Sequence, residues 1–201
     1  MSQVQSLEAT VVFPPDPLVV EAALGLPNNA SVLEVGAGWG NNSFYLAEQG
    51  HDVFAVEYNP LQLAGSQILK QAKEGLGVNF IQGDMRQLMF GGVFDAVIAT
   101  RCLQEVGPEE AYDVINSLQT LVNPGGQLVM RAYIASHSQK KQMPHLNLFL
   151  PGQLSAMLDP KEWVITKNLP ELLPLVRLSS GAPECQSTVQ IIARKTPAAV
   201  V

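Results

Sequence analysis

The sequence predicts an α/β fold, a single Rossmann-like, doubly wound sheet, and three observations predict it. Short apolar runs alternate with capped helical segments from residue 30 to residue 134. The runs are apolar at consecutive positions, so neither face of these strands can meet water, which implies a parallel sheet covered by helices on both sides. The first run, "VLEVG", passes directly into "AGWGN", a glycine-rich turn that opens a helix.

The elements follow in order. Asp16-Pro17 predicts a capped short helix over "LVVEAAL". "ASVLEVG" (30–36) reads as a buried strand, and "NNSFYLAEQG" (41–50) as a helix that Gly50 ends. "HDVFAVE" (51–57) is the second strand. Asn59-Pro60 supplies a cap and a first-turn proline for a helix running to about Lys73, where Gly75 and Gly77 break it. "VNFIQGD" (78–84) and "FDAVIAT" (94–100) are the third and fourth strands. Gly107-Pro108-Glu109-Glu110 opens a further helix with acidic residues at its positive end. Asn123-Pro124-Gly125-Gly126 turns the chain into "QLVMRAYI" (127–134). Residues 136–152 read as a long loop, and "EWVITKN" (162–168) and "STVQIIARK" (187–195) as two late strands joined by a proline-bearing excursion. No repeat or long linker divides the chain, so residues 1–201 are expected to form one domain. Its core is 30–134, and 135–201 hold a lid loop and the last two strands.

Composition narrows the function. The chain has 201 residues, 47% hydrophobic and 15% charged, which suits a globular domain. Its net charge of −6 and lack of a basic stripe argue against a nucleic-acid binder. No apolar stretch reaches the ~20 residues of a membrane span, and "MSQVQSLEAT" lacks the features of a secretory leader. Cys102 and Cys185 cannot form a disulfide framework, and with only His51, His137 and His145 no metal site is expected. A cytoplasmic setting is the default expectation.

The glycines carry the chemistry. A strand, a glycine turn and a helix present backbone amides to a ligand. The dinucleotide fingerprint is G-x-G-x-x-G, whereas here Gly36, Gly38 and Gly40 give G-x-G-x-G, and Asn41 stands where the third fingerprint glycine falls. A bulky Trp39 inside the turn also fits poorly against a diphosphate. The spacing therefore favours a cofactor without a pyrophosphate. Glu57 ends the second strand about twenty residues on, where a carboxylate binds both hydroxyls of an unphosphorylated ribose. Asp84 closes the third strand, and in a doubly wound sheet all these strand ends face one crevice.

In these motifs the chain resembles the class I S-adenosylmethionine-dependent methyltransferases. "VLEVGAGWG", the Glu57 of "VFAVEYNP", "GDM" (83–85), "FDAVIAT" and "NPGGQLVM" (123–130) occur in the family's order. The resemblance implies a seven-stranded sheet, mostly parallel, with the last strand antiparallel. It implies that Gly36, Ala37 and Gly38 line the methionine end of S-adenosyl-L-methionine, and that Glu34 holds the turn and reaches the amino group. Glu57 would take the ribose hydroxyls with Tyr58 beside the adenine. Asp84 would accept from the adenine amino group, Met85 would pack on the ring, and Thr100 would sit under the methionine moiety. "NNSFYLAEQGHDV", "LNLFLPGQL" and the closing "IIARK" are similar to the small tellurite-resistance methyltransferases, which methylate soft oxyanions and some thiols. The excursion before the last strand departs from them, with no histidine and only Arg177.

These readings point to methyl transfer to a small-molecule acceptor, a thiol or chalcogen oxyanion foremost, by a monomer or homodimer. A soft nucleophile needs no general base, so proximity and desolvation are expected to dominate. Arg101, His145 and Arg177 are the candidates for a catalytic or acceptor-binding role. Three rivals stand beside this reading: a cofactor-binding protein without catalysis, a NAD-linked oxidoreductase, and a methyltransferase acting on a macromolecule, which the acidic balance disfavours. Each residue also has an ordinary role. Trp39 can pack against the first helix or touch a ligand, Arg101 can form a plain salt bridge, and Arg131 and Tyr133, at the end of the fifth strand, can touch the acceptor or be structural. Cys102 reads as a small buried hydrophobe and His51 as structural.

Overall fold

The computed structural model describes residues 13–73, 75–135, 148–172, 176–177, 183–184 and 187–198. Helix α1 (Pro17–Ala23) starts where expected, with Asp16 accepting from the Leu18 N–H and proline in the first turn. Strand β1 (Ser31–Val35) leads into α2 (Asn41–Glu48), and β2 (Asp52–Glu57) into α3 (Pro60–Gln71). The Asn59 side chain caps α3 by accepting from the N–H groups of Leu61 and Gln62. Strand β3 (Val78–Gln82) is followed by a single 3-10 turn, Met85–Gln87, and then by β4 (Phe94–Thr100). Helix α4 (Pro108–Thr120) buries Ala111, Val114, Ile115 and Leu118, spaced to make one apolar stripe.

Strand β5 (Val122–Ile134) begins earlier than the sequence suggests. Val122 pairs with Phe94, the ladder then shifts, and pairing resumes at Gln127 opposite Ala96. The turn-forming Asn123–Gly126 segment is thus an irregularity inside the strand rather than its start. Strand β6 (Trp163–Leu172) also runs past its expected end, because it pairs with the last long strand as far as Leu172 opposite Ser187. Pro170 is compatible with this because β6 lies at the sheet edge, where a missing N–H costs no ladder bond. Within the excursion β7 (Val176–Arg177) pairs with β8 (Pro183–Glu184), and β9 (Ser187–Lys195) completes the sheet. His145 and most of the expected lid loop lie outside the described residues.

The seven-stranded sheet has the order β3-β2-β1-β4-β5-β9-β6. The β1, β2, β3, β4 and β5 pairings are parallel, and β9 runs antiparallel to both β5 and β6. The expected seven strands, mostly parallel with the last one antiparallel, are therefore present. The helices are unevenly shared. Leu18 and Val19 of α1, Phe44 and Leu46 of α2, and Leu69 of α3 pack with Val32, Val53 and Ile98 on one face. Helix α4 covers the other face at Leu128 and Met130, with Phe149, Leu154 and Leu158 beside it. No helix stands between β3 and β4. There Phe54 and Phe90 each meet Phe94 edge-on, with ring centroids at 5.6 and 5.3 Å, and cover that end of the sheet.

The order of strands reverses between β1 and β4. In an open α/β sheet the crevice outside the carboxyl ends of such strands is the ligand site.

Candidate active site

A cleft of about 890 Å³ opens at this reversal point. Its floor is the glycine turn, folded onto β2 by two hydrogen bonds from Gly36 and Ala37 N–H to the Val56 carbonyl, at 2.9 and 3.0 Å. Gly36 has φ +70°, and a Cβ there would lie 2.4 Å from the Cβ of Cys102. What comes so close to this glycine is the segment after β4, which must touch the turn for the two strand ends to share one cleft. Trp39 packs against α3 rather than against the first helix. Its indole lies so flat on α3 that a Cβ at Gly65 would meet it at 2.0 Å, and it also lines the cleft, 43% exposed.

Glu57 is buried at the tip of β2. Its Oε2 accepts from the Gly38 N–H and its Oε1 from the Asn59 N–H, both at 2.7 Å. The carboxylate thereby ties the glycine turn to the start of α3 and is fixed in orientation, while each oxygen retains capacity for a further donor. Glu34, only 1% exposed, accepts from Asn42 Nδ2 at 2.8 Å and from the Ser43 hydroxyl. Burial pushes its pKa from 4.5 up to about 7, against the opposing pull of those two hydrogen bonds. A cation placed beside Glu34 would restore its ionised form.

Asp84 is placed differently. Gly83 and Met85 line the cleft, but the Asp84 carboxylate is gripped by the Arg86 guanidinium, at 2.6 Å for the closest pair, and accepts from the Arg86 N–H at 2.9 Å. The hydrogen bonds from the Arg86 side chain hold its pKa below the usual carboxylate range. The other cofactor residues named from the sequence, Glu34, Gly36, Ala37, Gly38, Glu57, Tyr58, Met85 and Thr100, all line the cleft.

The far end of the cleft is a charged cluster drawn from distant parts of the chain. Asp16, 2% exposed, accepts from Leu18 N–H through Oδ1, and its own N–H donates to Asn42 Oδ1 at 2.7 Å. Asn42 also donates to Glu34 and, at 3.3 Å, to the Thr100 hydroxyl, so it links the turn to β4. Arg131 of β5 is 4% exposed, with Nη2 at 3.1 Å from Asp16 and 3.2 Å from Glu171. Arg101, the residue after β4, has φ +54°, a left-handed backbone that costs a non-glycine residue roughly 1–2 kcal/mol. Its side chain is half exposed over the cleft, with Nε 3.6 Å from Asp16 Oδ2.

Sequence reasoning missed Asp16 and Asn42 as cleft residues. Asp16 is also the helix cap it was read as, and the only local trace of Asn42 is a polar residue in the first turn after the glycines. Cys102 is buried, its thiol pushed by burial up to about 12 and donating to the Val35 carbonyl at 3.3 Å, which suits packing rather than nucleophilic attack. His51 is buried and accepts from the Ala30 N–H, and burial lowers its pKa. Arg177 stands in β7, which among the described residues pairs with β8 outside the main sheet. A smaller hollow of about 190 Å³, lined by Gly25, Asp95 and Arg194 among others, lies at the opposite ends of the strands. Among the described residues no helix is long and apolar enough to cross a membrane, and no group of metal-ligating side chains occurs.

Residues 32–126 match the family model described as a methyltransferase domain. Among curated proteins the chain is similar to a probable S-adenosyl-L-methionine-dependent methyltransferase TehB of Haemophilus influenzae, 26% identical over 155 residues. That match takes in 77% of this chain and 54% of the relative, so the chain spans about half the relative's length. The crystal structure of TehB from Haemophilus influenzae superposes with a TM-score of 0.75 at 21% identity, covering 89% of this chain and 61% of that one. A [4+2]-cyclase, SpnF, shares the fold with a TM-score of 0.73 at 19% identity, covering 90% and 79%.

Proposed function

We propose that the chain carries a class I methyltransferase domain of the S-adenosylmethionine-dependent kind, a premise supported by its methyltransferase-domain match and its resemblance to TehB. On it, the whole chain, residues 1–201, is a single-domain cytoplasmic enzyme that methylates a small molecule. The observation that carries the reading is the pairing of two buried carboxylates, Glu57 and Glu34, on either side of a glycine turn in one cleft.

The residues fit the cofactor. A cleft of about 890 Å³ falls within the range of small-molecule sites and leaves space for an acceptor. Glu34, held partly neutral by burial in the free protein, suits a neighbouring ammonium group. Glu57, its oxygens already aligned by Gly38 and Asn59, would accept from the ribose hydroxyls. Gly36, Ala37 and Gly38 would admit the methionine tail, Thr100 would lie beneath it, and Tyr58 and Met85 would flank the adenine. When bound, S-adenosylmethionine supplies a methyl group activated by a sulfonium. The protein's part is alignment and the exclusion of water, each of which lowers the barrier without a proton transfer. A soft acceptor, a thiol or chalcogen oxyanion, suits such a site because it needs no base. No nucleic acid or membrane takes part in this reading, and the working unit is a monomer or homodimer.

Calorimetric titration with S-adenosylmethionine should show one site of micromolar affinity. Incubation with thiols, selenite and tellurite should release S-adenosylhomocysteine. A second reading is a protein that binds the cofactor without transferring its methyl group, on a fold that a [4+2]-cyclase also shares. In that case the cofactor binds and no acceptor of the panel releases S-adenosylhomocysteine. A NAD-linked oxidoreductase is disfavoured by Asn41 in place of the third fingerprint glycine, and tight NAD binding would revive it.

A further inference from the structure

The β4–β5 end of the cleft contains charged groups for which the cofactor has no use. Resting on the methyltransferase reading, we propose that Arg101 and Arg131 form an acceptor subsite for a small molecule carrying a carboxylate beside its nucleophilic atom.

The inventory of donors supports this. A guanidinium offers five N–H donors and no acceptor. Arg131 is 4% exposed, yet its Nε and Nη2 make no hydrogen bond among the described residues, although Nη2 lies 3.1 Å from Asp16 and 3.2 Å from Glu171. The Arg101 guanidinium makes none among the described residues, and its nearest carboxylate oxygen, Asp16 Oδ2, is at 3.6 Å. That oxygen accepts no hydrogen bond either, so its contact with Arg101 is an ion pair alone. Both arginines and Asp16 line the cleft. Donors thus outnumber acceptors at this end, and orphaned donors in a cleft call for a ligand rich in oxygen. A planar carboxylate matches the arginine fork, which binds it through two parallel hydrogen bonds.

The surrounding charges sharpen the choice. Asp16, Glu171 and the exposed Glu105 offset the two arginines, so the cluster is not a general trap for anions. Selectivity must come from the directed geometry of the fork. Arg101 is held for that task by its backbone. Its N–H donates to the Arg131 carbonyl at 2.8 Å, and its own carbonyl accepts from Gln104 Nε2 at 2.5 Å. Its left-handed φ of +54° is the kind of strained conformation that gathers at ligand clamps.

The test uses matched pairs that differ only in the carboxylate. Mercaptoacetate and mercaptoacetamide are titrated calorimetrically into the full chain loaded with S-adenosylhomocysteine. A second pair, 2-hydroxybenzoate and 2-hydroxybenzamide, keeps the carboxylate next to the nucleophilic oxygen and removes dependence on the thiol. At least one carboxylate should bind about tenfold more tightly than its amide, in keeping with a charge-assisted pair of hydrogen bonds. Arg101→Ala, at a half-exposed position, should erase that preference and leave the Kd for S-adenosylmethionine within about twofold, since no cofactor contact is assigned to it. Equal binding within both pairs, no saturable carboxylate binding, or a preference that survives Arg101→Ala overturns the proposal. Failure of S-adenosylhomocysteine to bind the unaltered chain overturns the cofactor reading itself, and this proposal with it.

Discussion

On the β1–β2 side of the cleft, polar groups are set by partners close along the chain. Glu57 is held by Asn59, Glu34 by Asn42 and Ser43, and the turn by the glycines themselves. On the β4–β5 side, Asp16, Arg101, Arg131 and Glu171 meet from four separate elements, with two guanidiniums and two carboxylates in partial contact. The first half is a tightly hydrogen-bonded backbone cradle. The second is a loosely paired charged cluster whose stability depends on keeping every partner. One half is built for a fixed ligand shape, and the other leaves bonds unmade.

The largest expected effect separates the halves by stability. Arg131→Leu should destabilise the fold by roughly 3–5 kcal/mol, because Asp16 is left buried without its cation. Adding Asp16→Asn, which keeps the helix cap, should recover most of that loss in urea unfolding. Failure of the second change to rescue the first would show that packing, not charge, sets the cost. Glu57→Ala should act on the other half. Its removal should weaken S-adenosylmethionine about a hundredfold by calorimetry, through lost charged hydrogen bonds and a loosened turn. An unchanged Kd would break the contrast.

Glu34 gives a pH test. Its folded pKa of about 7 lies above its ordinary 4.5, so between these values the folded state binds more protons than the unfolded one. Its contribution is most favourable below pH 4.5 and is lost as pH rises to about 7, on the order of 2–3 kcal/mol in the ligand-free protein. The stability difference between Glu34→Gln and the unaltered chain should therefore grow in the variant's favour across that window and flatten above it. His51, whose pKa is lowered, works in the opposite direction in both proteins and cancels in the difference. The smallest effect is expected at Asp84. Because Arg86 occupies its carboxylate, Asp84→Ala should weaken the cofactor by less than about tenfold. A loss matching that of Glu57→Ala would place Asp84 in the cradle after all.

The same division marks what the sequence could reveal. Strand–turn–helix order, the Asn59-Pro60 cap and the acid at the end of β2 depend on residues a few positions apart, and each was legible. The Asp84–Arg86 pair is just as local, since its two-residue spacing is a signal for an internally satisfied acid. Asp16 and Arg131 are brought together only by the tertiary fold, when α1 packs over β5, and nothing near either residue announces the other. The early start of β5 and the late end of β6 were hidden for a related reason. Both are set by the partner strand's ladder rather than by the turn residues within them.

The position of β9 bears on how the molecule is made. The sheet strand translated last inserts between two made earlier, so during synthesis β5 and β6 must each wait with a raw edge toward the other. Such unpaired edges invite pairing with foreign strands until the gap is filled. The charged cluster at the far end of the cleft, which draws Glu171 from β6, can therefore close only after the ribosome has delivered β9.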